Sequence, residues 1–357
     1  MKGFRYMNNS GFPWEFPVFF KNNRVFRVYL GGKLLDEFTG SEGEDGNFPE
    51  EWICSAVHAI NPGHTDPLEG ISLRSEDDTP FDKLLSDNKK EYLGDREDLG
   101  VLVKFLDSAI RLPMQVHPTR EFSKKNFGSP YGKAESWIIL DTREDACIYF
   151  GFKDKVEKAD FEELVRKSEE DKDAMTSVVM RVPVKKGDVF FVDAGVIHAI
   201  GAGCLILEIQ EPTDFTIQPE HFCGDYKLND REMYLGLSPD VALDCFNYEL
   251  YGESVLTSGK KLPKEEYRDD NLLIESLIGK EDTPCFSVKR FSLYSGSFAL
   301  NIPASIWVCT DGEGTLTGDG YEKKIKRGDY FFLPASASGK INASASGSLT
   351  LVACIGG

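Results

Sequence analysis

The sequence predicts a mainly β protein, two jelly-roll-like barrels with a few helices, and three observations lead there. Short stretches rich in aromatic and β-branched residues recur along the chain, each closed by a Gly, Pro or Asp turn. Helical spacing appears only in brief pieces. Residues 185–200, KKGDVFFVDAGVIHAI, are echoed by residues 326–341, KRGDYFFLPASASGKI. Both copies run from a basic pair through Gly-Asp, an aromatic or apolar run and a turn into a new strand. The first has His198 after its turn and the second has Gly339 near that position, so the N-terminal barrel is the one equipped to carry a metal.

In chain order, residues 15–31 read as early strands, and Gly31-Gly32 with the acidic loop behind it reads as a break. EEWICSAVHAI (50–60) is an expected strand; residues 61–98 read mostly as loop, with a short helix over 81–88. VLVKFLDSAI (101–110) is an apolar strand with Lys104 set into it, and a lone lysine in a buried strand needs a partner or a task. WIILD and ACIYFGF read as a hairpin around DTRED. In KADFEELVRKSEEDKD (158–173) the period changes, with Phe161, Leu164 and Val165 at helical spacing amid charge. CLILEIQE (204–211) is a strand, and SPDVALDCFNY (238–248) a helix with Ser238 as N-cap and Pro239 in its first turn. Residues 252–283 are polar with mixed signals, and short strands fill the rest. The expected units are a metal-binding barrel over 1–225 with a helical insert near 155–175, a helical or irregular connector over 226–283, and a metal-free barrel over 284–357.

The chain has 357 residues and a formal net charge of −18. That charge argues against nucleic acid and against an anionic membrane surface as partners. Two acidic segments, 41–51 and 157–173, read as solvated surface. No apolar run reaches membrane-spanning length and the N-terminus lacks a signal-peptide layout, so the expected location is the cytoplasm. The eight cysteines never form C-x-x-C and read as buried thiols.

The chemistry concentrates in LPMQVHPTREFSKKNFGSPYGKAESWIIL (112–140) and KKGDVFFVDAGVIHAIG (185–201). Gln115 and His117 are two apart and share a strand face. Glu135 and His198 each begin another strand. If these strands are neighbours, two imidazoles, a carboxylate and an amide oxygen converge, a donor set that suits one Zn²⁺, with iron in a two-His-one-carboxylate site as the rival. A single strand histidine is more often a hydrogen-bonding group than a ligand; the joint pattern raises the set above that reading. Glu208 shares a face with Cys204 and Ile206, where a carboxylate is costly unless paired or functional.

QVHP, then GK-x-E-x-W, then GD-x-F-x-x-x-AG-x-x-HAIGAG together resemble the class I mannose-6-phosphate isomerases, zinc enzymes of the cupin superfamily. The resemblance implies two cupin barrels, the second degenerate, and zinc on Gln115, His117, Glu135 and His198. It implies a substrate pocket lined by Glu208, with Asp214 as a weaker candidate of the same kind and position 218 as a third catalytic candidate, and in which Lys104 and Lys133 match the lysines that hold the sugar phosphate; a Glu208 that only pairs with a lysine is the other reading. It also exposes two departures: the family's serine before the Gln ligand is Pro113 here, and its arginine downstream of the pocket glutamate is Gln218. Gln keeps hydrogen bonding but no charge. Arg111, Arg120, Lys124 and Lys125 are nearby cations that could rebuild an anion site. The expected function is a zinc-dependent aldose–ketose isomerase interconverting mannose 6-phosphate and fructose 6-phosphate, or a close sugar relative, by proton transfer through an enediolate. The alternatives are a non-catalytic metal-bearing sugar sensor, an isomerase of an unphosphorylated sugar, and an iron oxygenase. The partner is a small sugar or sugar phosphate, and a monomer and a homodimer are both open.

Overall fold

The computed structural model describes residues 12–61 and 63–357. Its first half is a seven-stranded antiparallel sheet in the spatial order Arg24–Val25, Glu50–Ile53, Leu102–Ser108, Cys204–Gln210, Glu135–Thr142, Val189–Val192, Lys260–Lys261. Facing it is a three-stranded sheet of Val179–Pro183, Cys147–Phe152 and His198–Ile200. Trp137, Ile139, Ile148, Phe150, Phe190 and Ile206 fill the space between, because alternate residues of each strand point inward. The second half is a nine-stranded curled sheet centred on Phe286–Leu293, Leu349–Gly356 and Ser305–Gly318. Its own interior holds Phe291, Trp307, Leu316, Phe331 and Leu351.

The echo seen in the sequence is a shared turn. Asp188 accepts a hydrogen bond from the Lys185 amide at 3.1 Å, and Asp329 accepts one from the Lys326 amide at 2.8 Å. Gly187 and Gly328 take φ of +91° and +93°, a region open to glycine at little cost. The strands Val189–Val192 and Tyr330–Leu333 follow. His198 then opens a strand in the first copy, whereas Gly339 (φ +75°) lies before the strand Asn342–Ala345 in the second.

Several expectations change. WIILD and ACIYFGF are not a hairpin: Glu135–Thr142 pairs with Cys204–Gln210 and Val189–Val192, whereas Cys147–Phe152 pairs with Val179–Pro183 and His198–Ile200. The chain crosses from one sheet to the other at the turn, and each strand takes a central place in its own sheet with its hydrogen-bonding groups paired on both edges. The strand at residue 50 stops at Ile53, where Cys54 adopts φ +46°. Glu50 and Glu51 are not solvated but 3% and 4% exposed. The break after Gly31 contains a helix, Lys33–Thr39, whose first amides bond to Asp107: Gly32 N and Leu34 N both donate to its Oδ2. Most of residues 15–31 is irregular, with one short strand at Arg24–Val25. The helix expected over 238–248 spans Pro239–Leu243, and Ser238 caps it without a side-chain bond. All eight cysteines are free and buried. No described helix is long and apolar enough to cross a membrane.

Candidate metal centre and sugar cavity

Register places the site. Gln115 and His198 form an antiparallel bridge, each backbone amide bonding the other's carbonyl at 2.8 and 2.9 Å. That bridge, with the start of the strand Glu135–Thr142, brings one ligand atom each from His117, Glu135 and His198 within 4.8 Å of one another. All three side chains are at most 1% exposed. The far ring nitrogens are already committed: Nδ1 of His117 lies 2.9 Å from the Phe215 carbonyl, and Nδ1 of His198 lies 2.8 Å from the Val196 carbonyl. Donation there fixes the tautomer and leaves both Nε2 lone pairs facing Glu135, the usual support of a metal-binding imidazole. Burial, followed by the charge of Lys133, pushes the His117 pKa down to about 3, so its ring is neutral and able to ligate. Glu135 has an Oε1 without any hydrogen-bond partner. A buried carboxylate oxygen left orphaned among two aligned imidazoles fits a divalent cation. Gln115 has its amide nitrogen 3.2 Å from His198 Nε2; turning the amide over would present its oxygen to the same point. Lys133 also reaches in, with Nζ 2.8 Å from His117 Nε2 and 2.9 Å from Glu135 Oε2.

The cluster adjoins a cavity of about 290 Å³. Cross-strand pairing sets its floor, since Trp52 faces Lys104, Lys104 faces Glu208, and Glu208 faces Trp137. Lys104 Nζ lies 3.3 Å from Glu208, 3.8 Å from Glu50 and 4.9 Å from the centre of the Trp52 ring. Arg27 bonds Glu50 at 3.0 Å, Asp214 at 3.2 Å and Asn61 at 2.9 Å. Glu50 also accepts from Tyr29 at 2.5 Å and from the Trp52 indole at 2.6 Å. Burial works against the Glu50 anion, but Arg27 and Lys104 outweigh it and hold its carboxyl well below the usual range. Glu208 goes the other way: burial, and then the nearby Glu135 charge, raise it above the ordinary value. Its Oε1 contact to Lys104 has the distance of an ion pair without hydrogen-bond alignment.

The residues anticipated from sequence separate here. Glu208, Lys104, Lys133, Gln115, Asp214 and Gln218 all line the cavity. Arg111 does not; it is paired with Glu220 at 2.5 Å. Arg120 is paired with Glu211 at 2.6 Å, and Lys124 and Lys125 lie outside the lining. Asp214 spends its carboxylate on Arg27 and on the Ile60 amide at 2.9 Å, and Gln218 donates to the Glu232 carbonyl at 2.8 Å. Both therefore hold the wall in place. Arg27, Glu50, Asn61 and Arg231 also line the cavity, unforeseen from sequence. Arg27 carried the same signal as Lys104, one cation between apolar neighbours in FRV.

A mannose-6-phosphate isomerase of Bacillus subtilis (strain 168) is 32% identical over 248 residues, covering 68% of this chain and 70% of the relative. The chain belongs to the mannose-6-phosphate isomerase family. As a member of that family it is an isomerase. The crystal structure of the mannose 6-phosphate isomerase from Bacillus subtilis superposes with a TM-score of 0.74 at 23% identity, over 95% of this chain and 99% of that one. A mannose 6-phosphate isomerase bound with zinc and yttrium superposes with a TM-score of 0.67 at 17% identity, over 94% and 98%. The two β halves thus share the fold of these isomerases. No family model matches the chain.

Proposed function

We propose that this isomerase interconverts mannose 6-phosphate and fructose 6-phosphate, with one zinc ion held by Gln115, His117, Glu135 and His198. The observation that carries the reading is the meeting of two kinds of group in one cavity. An imidazole and carboxylate set suited to zinc stands beside Glu208, a buried carboxyl raised in pKa that lines the adjoining cavity. When bound, zinc supplies Lewis-acid stabilisation of the oxyanion that develops as the C1–C2 proton is moved.

The chain's own groups supply the rest. Glu208 is the group that takes the proton from one carbon and returns it to the neighbouring one, and a raised pKa brings a carboxyl nearer the operating pH of such a shuttle. Lys104, 3.3 Å from Glu208, offsets part of that rise and fixes the carboxylate's direction. Lys133 bonds His117 and Glu135 and offers a positive charge next to the sugar's oxygens. Trp52 and Trp137, both fully buried, exclude water from the floor and strengthen the local electrostatics.

The test is turnover of the zinc-loaded chain on mannose 6-phosphate in D2O. Fructose 6-phosphate should form and carry deuterium at C1 wherever the shuttle exchanges with solvent, and Glu208→Gln should lower kcat by roughly 100-fold or more. A wild-type chain with stoichiometric zinc and no isomerisation of mannose 6-phosphate would sink the proposal.

A further inference from the structure

A doubly charged phosphate needs a cation with donors to spare, and the cavity has little spare positive charge. Among the described residues four cations line it: Arg27, Lys104, Lys133 and Arg231. Arg27 is engaged by Glu50 and Asp214, Lys104 by Glu50 and Glu208, and Lys133 by Glu135 and His117. The floor therefore sets three cations against the four carboxylates of Glu50, Glu135, Glu208 and Asp214, a poor place for another anion. Arg231 differs: it is an exposed residue at the cavity wall, with no carboxylate partner among the described residues.

The neighbouring acid, Glu232, lines the same cavity but its carboxylate is bonded elsewhere. Glu232 accepts from the Asn229 amide at 2.8 Å and from the Tyr226 hydroxyl at 2.8 Å, while Asn229 Oδ1 accepts from the Arg231 and Glu232 amides. This reciprocal cap keeps the Glu232 carboxylate occupied at the start of the helix Asp230–Tyr234. Gln218 then fixes that helix to the cavity wall by two bonds, its amide to the Met233 carbonyl and its side chain to the Glu232 carbonyl, both at 2.8 Å. The wall leads back to the metal set. Val116 and Ile217 form an antiparallel bridge with both side chains buried, so Gln115 and Gln218, one residue to either side, lie next to each other and both line the cavity.

We propose that Arg231 is the residue that holds the phosphate of the substrate, at the cavity mouth, and that Gln218 is a positioning residue that holds the Arg231 helix against the wall. The assignment rests on the proposed reaction for the identity of the sugar. It explains how a chain with an uncharged Gln218 keeps an anion site: the charge sits on the adjoining helix and the glutamine carries the helix. A guanidinium fork grips two phosphate oxygens, and specificity for the phosphorylated sugar follows from it.

The test compares wild type with Arg231→Gln and Arg231→Lys, full-length and zinc-loaded, in steady-state kinetics and in calorimetric titration with inorganic phosphate. Arg231→Gln is expected to raise KM for mannose 6-phosphate about 10- to 100-fold with a smaller change in kcat, and to abolish measurable phosphate binding. Arg231→Lys should recover part of both, and Gln218→Ala should raise KM in the same direction by less. Unchanged KM and unchanged phosphate binding in Arg231→Gln, or no phosphate binding by wild type, would overturn the assignment. Should wild type bind phosphate but fail to isomerise mannose 6-phosphate, the reaction is refuted while loss of phosphate binding in Arg231→Gln still upholds Arg231. Since Arg231 is exposed, the variant's circular dichroism should match wild type.

Discussion

Replacing Glu50 by Gln tests the charge network under the cavity. In the folded protein Glu50 Oε1 accepts from Arg27 and Tyr29 and Oε2 from the Trp52 indole. An amide has one oxygen, so Gln must leave either the indole or the other two donors facing an NH2 group. Charge shifts as well: around this point Arg27 and Lys104 stand against Glu50, Glu208 and Asp214, and the substitution leaves two cations and two anions. Breaking a buried pair by removing one partner costs about 3–5 kcal/mol, and because Asp214 and Glu208 remain, the expected loss is at the low end, about 3 kcal/mol at pH 7. The pH dependence has a definite sign. Folding depresses the Glu50 pKa, so its contribution is fully present above the unfolded value of about 4.3 and falls by about 1.4 kcal/mol per pH unit below it. Urea unfolding followed by tryptophan fluorescence, which Trp52 reports directly, should show a gap between wild type and Glu50→Gln at pH 7 that narrows by pH 3.5. A gap under about 1 kcal/mol at pH 7, or one that widens in acid, would refute the network as described.

Two further outcomes follow from geometry. His198→Ala removes a proposed ligand whose ring is held by the Val196 carbonyl; zinc affinity measured by competition with a chelator should fall by at least about 100-fold, and stoichiometric zinc surviving dialysis would show the ligand set to be wrong. Gly31→Ala would place a Cβ 1.9 Å from the Asp107 carbonyl oxygen. Backbone cannot yield as a side chain can, so a destabilisation of about 3 kcal/mol or more is expected in thermal or urea unfolding.

The metal-capable cluster of His117, Glu135 and His198 is legible in the sequence because residue type and strand spacing carry its chemistry directly, and the repeated turn is legible because Gly-Asp is needed for φ near +90° and for the aspartate bond. Partners distant along the chain are not legible there. Glu50 and Glu51 look like the tail of an acidic loop, and only the alignment of Glu50–Ile53 against Leu102–Ser108 shows Glu50 beneath Lys104. The hairpin reading of WIILD and ACIYFGF follows from a short polar turn, whereas Glu135–Thr142 pairs with Cys204–Gln210, 62 to 75 positions downstream. Gln218 looked like a lost charge when taken alone; its backbone and side-chain bonds to the helix Asp230–Tyr234 appear only in three dimensions.

The final strand, Leu349–Gly356, has a consequence for synthesis on the ribosome. One hydrophobic core takes Leu99, Val101, Val103 and Phe105 from the first half together with Phe286, Ile306, Val352 and Cys354 from the second. Arg96 donates to the Gly356 carbonyl across a separation of 260 residues. At about 5–20 residues per second, that stretch takes roughly 13–50 s to emerge. Throughout that interval the early side chains lack the surface that will cover them. His117, Glu135 and His198, by contrast, have all left the ribosome well before the chain's last strand, so the metal-capable trio is available to a nascent chain whose neighbouring core is still open.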